Sequence, residues 1–158
     1  YVRNGVADVF MISEPLAGMR DTVVTQTRTA LDFAEILKYT SDTLYPDVEK
    51  IILVTDNLNT HAPASLYKAF PPEEARRLAE RFEWHYTPKH GSWLDMAEIE
   101  IGIMSRQALS KPLPDLESFK KQVRAWTIKR NAEHRKINWQ FTTQDARIKL
   151  LKLYPIVL

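Results

Sequence analysis

A chain of 158 residues with 44% hydrophobic and 27% charged residues is long enough to bury one sizeable core and has the balance of a soluble globular protein. It has no cysteine, which excludes disulfides and thiolate metal sites; with no apolar run of membrane-span length and no signal-peptide pattern, a cytoplasmic protein without a membrane partner is expected. The net charge of +2 hides an uneven spread, 12 Lys/Arg against 17 Asp/Glu in residues 1–115 and 10 against 3 in residues 116–158, which fits a polyanion partner, nucleic acid first, or the solvated faces of two ordinary helices.

Residues 6–14 and 19–25 are rich in β formers around the turn Glu14-Pro15-Leu16-Ala17-Gly18, predicting an antiparallel hairpin. Thr29-Ala30-Leu31-Asp32 has capping-box spacing, and Phe33, Ile36, Leu37, Thr40 and Leu44 follow at helical intervals, so an amphipathic helix is expected to stop before Pro46. The next stretch, residues 50–58 (KIILVTDNL), organises the chain. Ile51 to Thr55 are apolar or β-branched without alternation, the pattern of a strand buried on both faces, and the run breaks into Asp56, Asn57 and Asn59. A carboxylate at the carboxyl end of a central strand stands where open α/β sheets place ligands; equally, Asp56 reads as an Asx-turn or a helix cap.

Short helices are predicted over 63–70 and 72–81, the second opened by Pro72, then a strand over 82–86 (FEWHY) ended by Pro88. Residues 87–93 form a loop, and Ser92 with Asp95 gives a second capping-box pattern for a helix over 93–109. Lys111-Pro112-Leu113-Pro114 is a linker. A basic amphipathic helix follows over 115–131 with Leu116, Phe119, Val123 and Trp126 inward, and a last helix over 142–154. The order indicates a mixed sheet covered by helices, with a core over 1–110 and a basic helical extension over 111–158. No internal repeat is present.

On the 93–109 helix, Glu98 shares a face with Leu94, Ile101 and Gly102, whereas Glu100 points elsewhere and reads as solvated. A carboxylate on an apolar face is costly unless paired or cation-bound, which favours Glu98. Alone, it reads as a helix-start acid. Together, Asp56 and Glu98 are hard oxygen ligands of the kind that suit Mg2+ or Mn2+. Paired ions of that type activate an attacking water and stabilise the leaving oxygen of a phosphodiester, although a third carboxylate is normally wanted.

Asp56-Asn57-Leu58-Asn59-Thr60-His61, Tyr86-Thr87-Pro88 and Ser92-Trp93-Leu94-Asp95-Met96-Ala97-Glu98 resemble the catalytic core of bacterial insertion-sequence transposases, in particular the mariner-like group with a DDE superfamily endonuclease domain. The likeness extends to Glu14-Pro15-Leu16-Ala17-Gly18 and Trp139-Gln140-Phe141-Thr142-Thr143. It implies an RNase H-like, integrase-like α/β fold, Mg2+ or Mn2+ dependence, and DNA cleavage followed by strand transfer during transposition. By position it makes Asp56 the second metal-binding, catalytic acid and Glu98 the third. Asn57, Asn59 and His61 would shape the turn and orient Asp56, with a structural role for His61 the plainer reading. Lys89, His90 and Trp93 precede the Glu98 helix and could meet the DNA backbone or stack on a base, Trp93 fitting a core position as well; Lys120 and Arg124 on the basic helix could track phosphates.

Two departures stand out. Asp95 occupies a position where the family usually has Asn, and the family's first acid, carried on the first strand of its sheet, has no counterpart; Asp8 does not match its motif. The chain opens on Tyr1 rather than Met and reads as truncated before that strand. Without a strand that runs centrally, two unpaired edges and an open groove are expected, unless the fold rearranges or dimerises. The expectation is thus a transposase catalytic domain with residual activity at most. The alternatives are a non-catalytic remnant that binds DNA or a sister subunit, and another RNase H-like nuclease.

Overall fold

The computed structural model describes residues 6–88, 94–149 and 151. Strands β1 (Asp8–Glu14) and β2 (Met19–Thr25) form the expected antiparallel hairpin, with Asp8 opposite Thr25 and Glu14 opposite Met19. Its turn requires Gly18, which takes φ +69° and lies so close to the 134–136 segment that a Cβ would sit 2.9 Å from the His134 carbonyl oxygen. Helix α1 (Ala30–Tyr39) is capped by the Thr29/Asp32 box and widens into a π turn at Thr40–Leu44.

Strand β3 (Ile51–Thr55) is followed by α2 (Ala64–Ala69), α3 (Pro72–Arg81) and β4 (Phe82–Tyr86), and β4 returns parallel to β3. Then come α4 (Met96–Ala108), α5 (Leu116–Ala132) and α6 (Thr143–Lys149). Strand β1 thus pairs with β2 and β3 with β4, giving two two-stranded sheets among the described residues. The molecule is a mixed α/β fold with helices on small sheets, consistent with an RNase H-like domain that lacks a full central sheet.

Two apolar cores result. Phe33, Ala34 and Leu37 of α1, Leu66 of α2, Ala75 and Leu78 of α3 and Phe82 of β4 form the first, with Ile51, Leu53 and Trp84 packed on it. Met104 and Ala108 of α4 with Val123 and Trp126 of α5 form the second. Strand β1 joins them by the alternation of its side chains: Phe10 enters the first core, Val9 and Met11 the second.

The two-face burial expected of β3 is not found. Ile52 is 68% and Val54 55% exposed, while Ile51 and Leu53 pack inward. Helices α1–α3 cover one face of β3–β4; the other bears apolar side chains because α4 and α5 lie over the hairpin instead. Similarly, α4 does not bury the predicted face. Its inward stripe is Glu100, Met104 and Ala108, spaced i, i+4, i+8, and Ile101 is partly exposed.

Candidate active site

Between the two sheets lies a cavity of about 640 Å³. Consecutive residues 9–15 of β1 and its turn, and 50–56 around β3, line it. Side chains on a strand alternate between faces, so consecutive residues meet one cavity only where it runs along the strand's edge. The hairpin uses the other edge of β1, and β4 pairs with only one edge of β3. Across the opening lie Leu94 to Glu98 at the start of α4. The cavity is mostly apolar; Asp56, His61, Asp95 and Glu98 line it where β3 ends, and Glu14, Arg28, Tyr45 and Lys50 line it elsewhere.

Asp56 follows the last residue of β3. Its Oδ1 accepts a hydrogen bond from the Leu58 amide at 3.1 Å, closing an Asx-turn, and lies 2.5 Å from His61 Nδ1. Both contacts use one oxygen; Oδ2 accepts no hydrogen bond among the described residues. His61 is mostly buried, its ring stacked on Phe33 with centroids 4.4 Å apart. Asn57 donates its side-chain amide to the Thr87 carbonyl, and the Thr87 amide donates to Thr55 at 2.9 Å, which ties the ends of β3 and β4 together beneath Asp56. Asn59 is exposed in the turn.

Glu98 lies in the first turn of α4 and is exposed on the cavity side. Asp95 is the N-cap of that helix, accepting from the Ala97 amide at 2.9 Å; Ser92, its expected capping-box partner, lies outside the described residues. Burial pushes the Asp95 carboxyl above its ordinary value, and the Glu98 and Asp56 carboxylates push it further, against the Ala97 amide and His61. Asp56, Asp95, Glu98 and His61 therefore share one electrostatic neighbourhood although they come from distant parts of the sequence.

Three carboxylates of this kind suit a hard divalent cation by chemistry, and repulsion among them is what such an ion would relieve. Yet no group of three or more His, Cys, Asp or Glu among the described residues is gathered closely enough to hold a metal ion. The donor types fit; the gathering is incomplete.

Of the predicted nucleic-acid contacts, Lys89, His90 and Trp93 lie outside the described residues. Lys120 and Arg124 project from α5, Lys120 paired with Glu117 at 2.9 Å and Arg124 with Asp21 of β2 at 3.6 Å. Glu100 corrects the sequence reading most sharply. It is fully buried, in ion pairs with Arg20 and Arg130, because its helix turns that position toward the hairpin and α5. The spacing of Glu100 with Met104 and Ala108 makes this stripe possible, and only the distant Arg20 and Arg130 select it.

The family model for DDE superfamily endonucleases matches residues 1–120, about three-quarters of the chain. No curated protein and no solved structure matches it.

Proposed function

The chain belongs to the DDE superfamily endonucleases, and from that premise we propose that it is the catalytic domain of a mariner-like, insertion-sequence transposase acting on DNA at the element's ends and at the target. The observation that supports the reading is the meeting of Asp56 and Glu98 in one cavity, at the carboxyl end of β3 and the first turn of α4. Mg2+ or Mn2+ held there by Asp56 and Glu98 would supply Lewis-acid activation of a phosphodiester and of the attacking oxygen. The protein's own part is positional. His61 holds one oxygen of Asp56, Asn57 braces the turn to β4, and the helix dipole at the start of α4 favours the charge of Glu98.

Two carboxylates leave the set short of the three that this chemistry uses. Among the described residues one edge each of β1 and β3 is unpaired, and a strand laid between them would end beside Asp56 and could carry a third. In this reading the first acid arrives on such a strand, and the 158 residues alone have residual activity at most.

The test compares the chain with one carrying an additional strand ending in Asp ahead of Tyr1, on a double-stranded DNA substrate with Mg2+. Cleavage by the extended chain, abolished by Asp56→Asn or Glu98→Gln, is the expected result, and transfer of the freed 3′ end to a second duplex separates a transposase from another RNase H-like nuclease. Salt-sensitive DNA binding untouched by Asp56→Ala, with no cleavage by either chain, would make it a binding remnant.

A further inference from the structure

We propose that Glu100 is a positioning residue for this site: a buried anchor that fixes the rotation of α4 and thereby points Glu98 into the cavity. The inference rests on the reading of Glu98 as a cation-holding carboxylate.

The inward stripe of α4 begins with a charge where packing alone would take a leucine. Glu100 is fully buried, and both of its oxygens are engaged. Oε1 accepts from Arg130 Nη2 at 3.0 Å, and Oε2 accepts from Arg130 Nε at 3.2 Å while lying 3.1 Å from Arg20 Nε. Arg20, only 4% exposed, is itself held from several sides. It donates to the Gly18 carbonyl at 3.0 Å and to the Arg135 carbonyl at 2.7 Å, and its backbone exchanges hydrogen bonds with the Asn131 side chain. Glu100 thus locks α4 onto β2 and α5 at once.

Such a lock discriminates between rotations in a way that Met104 and Ala108 do not. Apolar contacts can slide by one side chain at modest loss. Withdrawing Glu100 would leave two guanidinium groups, one of them deeply buried, without their carboxylate, and an uncompensated buried charge is strongly penalised. Residues 98 and 100 are separated by about 200° around a helix. Holding Glu100 against the hairpin and α5 therefore turns Glu98 to the opposite flank, where Asp56 faces it across the cavity. A charge at this position stabilises one orientation, and Glu98 inherits that orientation.

The absence of cysteine allows a direct test. Spin labels on Ser105→Cys, seven residues beyond Glu98 and so on its flank of α4, and on Lys68→Cys in α2 report the placement of α4 by pulsed EPR. Glu100→Gln, at a temperature where circular dichroism shows the chain folded, is expected to broaden or split a narrow distance distribution. It should also weaken Mn2+ binding by about tenfold or more, the size of effect that misorienting a metal ligand usually has. A merely stabilising residue would lower the melting temperature and leave the folded-state distance alone, as would a pure charge effect on the cation. Arg130→Gln, which leaves Glu100 with Arg20, should give the same change at smaller amplitude and decides the matter if Glu100→Gln does not fold. An unaltered distribution in a folded variant overturns the proposal. If instead wild type and Glu98→Gln bind Mn2+ alike, the assignment of Glu98 falls, and the distance measurement still reports whether Glu100 anchors α4.

Discussion

His61 Nδ1 lies 2.5 Å from Asp56 Oδ1 while the same imidazole stacks on Phe33 of α1. The ring is a strut between the carboxylate at the end of β3 and the first core, so the turn that presents Asp56 is held from below by an aromatic contact and from the side by a hydrogen bond. His61→Ala removes both. The expected cost is about 2 kcal/mol, from an aromatic pair and a bond to a charged group, together with weaker Mn2+ binding. Urea denaturation and Mn2+ titration measure the two; wild-type values in both would detach His61 from the site.

Asp95 gives a pH-dependent prediction. Its carboxyl is raised from 3.8 by burial first, then by Glu98 and Asp56. The folded state therefore resists its ionisation, and the penalty is absent below the unfolded value and complete above the folded one. Asp95→Asn keeps a competent helix cap and removes the charge. The variant should be more stable than wild type at pH 7, with the difference closing as the pH falls to about 4. Thermal melts across that range decide it, and a variant less stable at pH 7 would mean that the carboxylate is held by a favourable partner.

Glu74 behaves oppositely. It accepts from Lys38 Nζ and Arg77 Nε, each at 2.7 Å, while Arg77 also grips Asp42 at 2.8 Å. These contacts pin α1, the π turn and α3 together. Bonds from Arg77 and then Lys38 hold the Glu74 carboxyl down, from 4.5 to about 2. Its stabilisation is full above pH 4.5 and is lost as the pH falls through about 2. Because the cluster is partly open to solvent, Glu74→Gln should cost only about 1 kcal/mol at pH 7. The gap between variant and wild type in urea should narrow toward pH 2; a gap independent of pH would assign the loss to packing.

Much of this architecture is legible in the residues themselves. The hairpin, the Thr29/Asp32 cap, Ile51–Thr55 and Phe82–Tyr86 follow from local chemistry: turn residues, capping spacing and β-branched runs. Asp56 and Glu98 could be named because a carboxylate after a strand and another in a helix's first turn are local patterns. What stayed hidden depends on partners distant in sequence. An uninterrupted apolar run cannot reveal that only one face of β3 would be covered. Nor could the helical spacing alone show that α4 would choose the Glu100 stripe, since the arginines that compensate it stand 80 residues before and 30 after.

The bare face of β3 predicts self-association. Ile52 and Val54 are exposed beside a strand edge that is unpaired among the described residues, a combination that invites pairing with another chain. Val54→Lys places a charge there without touching either core. Its stability should stay within about 0.5 kcal/mol of wild type, while sedimentation shows less association at high protein concentration. A loss of several kcal/mol would mean that Val54 is covered in solution.

Helix α5 gives a prediction about DNA. Lys120 and Arg124 are exposed on it; Lys120 pairs with the exposed Glu117 at 2.9 Å, and Arg124 reaches the mostly buried Asp21 only at 3.6 Å. Such pairs contribute little, so both cations can exchange their carboxylate for a phosphate at small cost. Each phosphate contact releases condensed counterions and steepens the fall of affinity with salt. Replacing both residues with Gln should therefore weaken binding about equally across DNA sequences and reduce the slope of log affinity against log salt by about 2. Fluorescence anisotropy between low and physiological salt measures that slope. An unchanged slope would move the DNA path off α5, and a change confined to one sequence would mean that these side chains read bases.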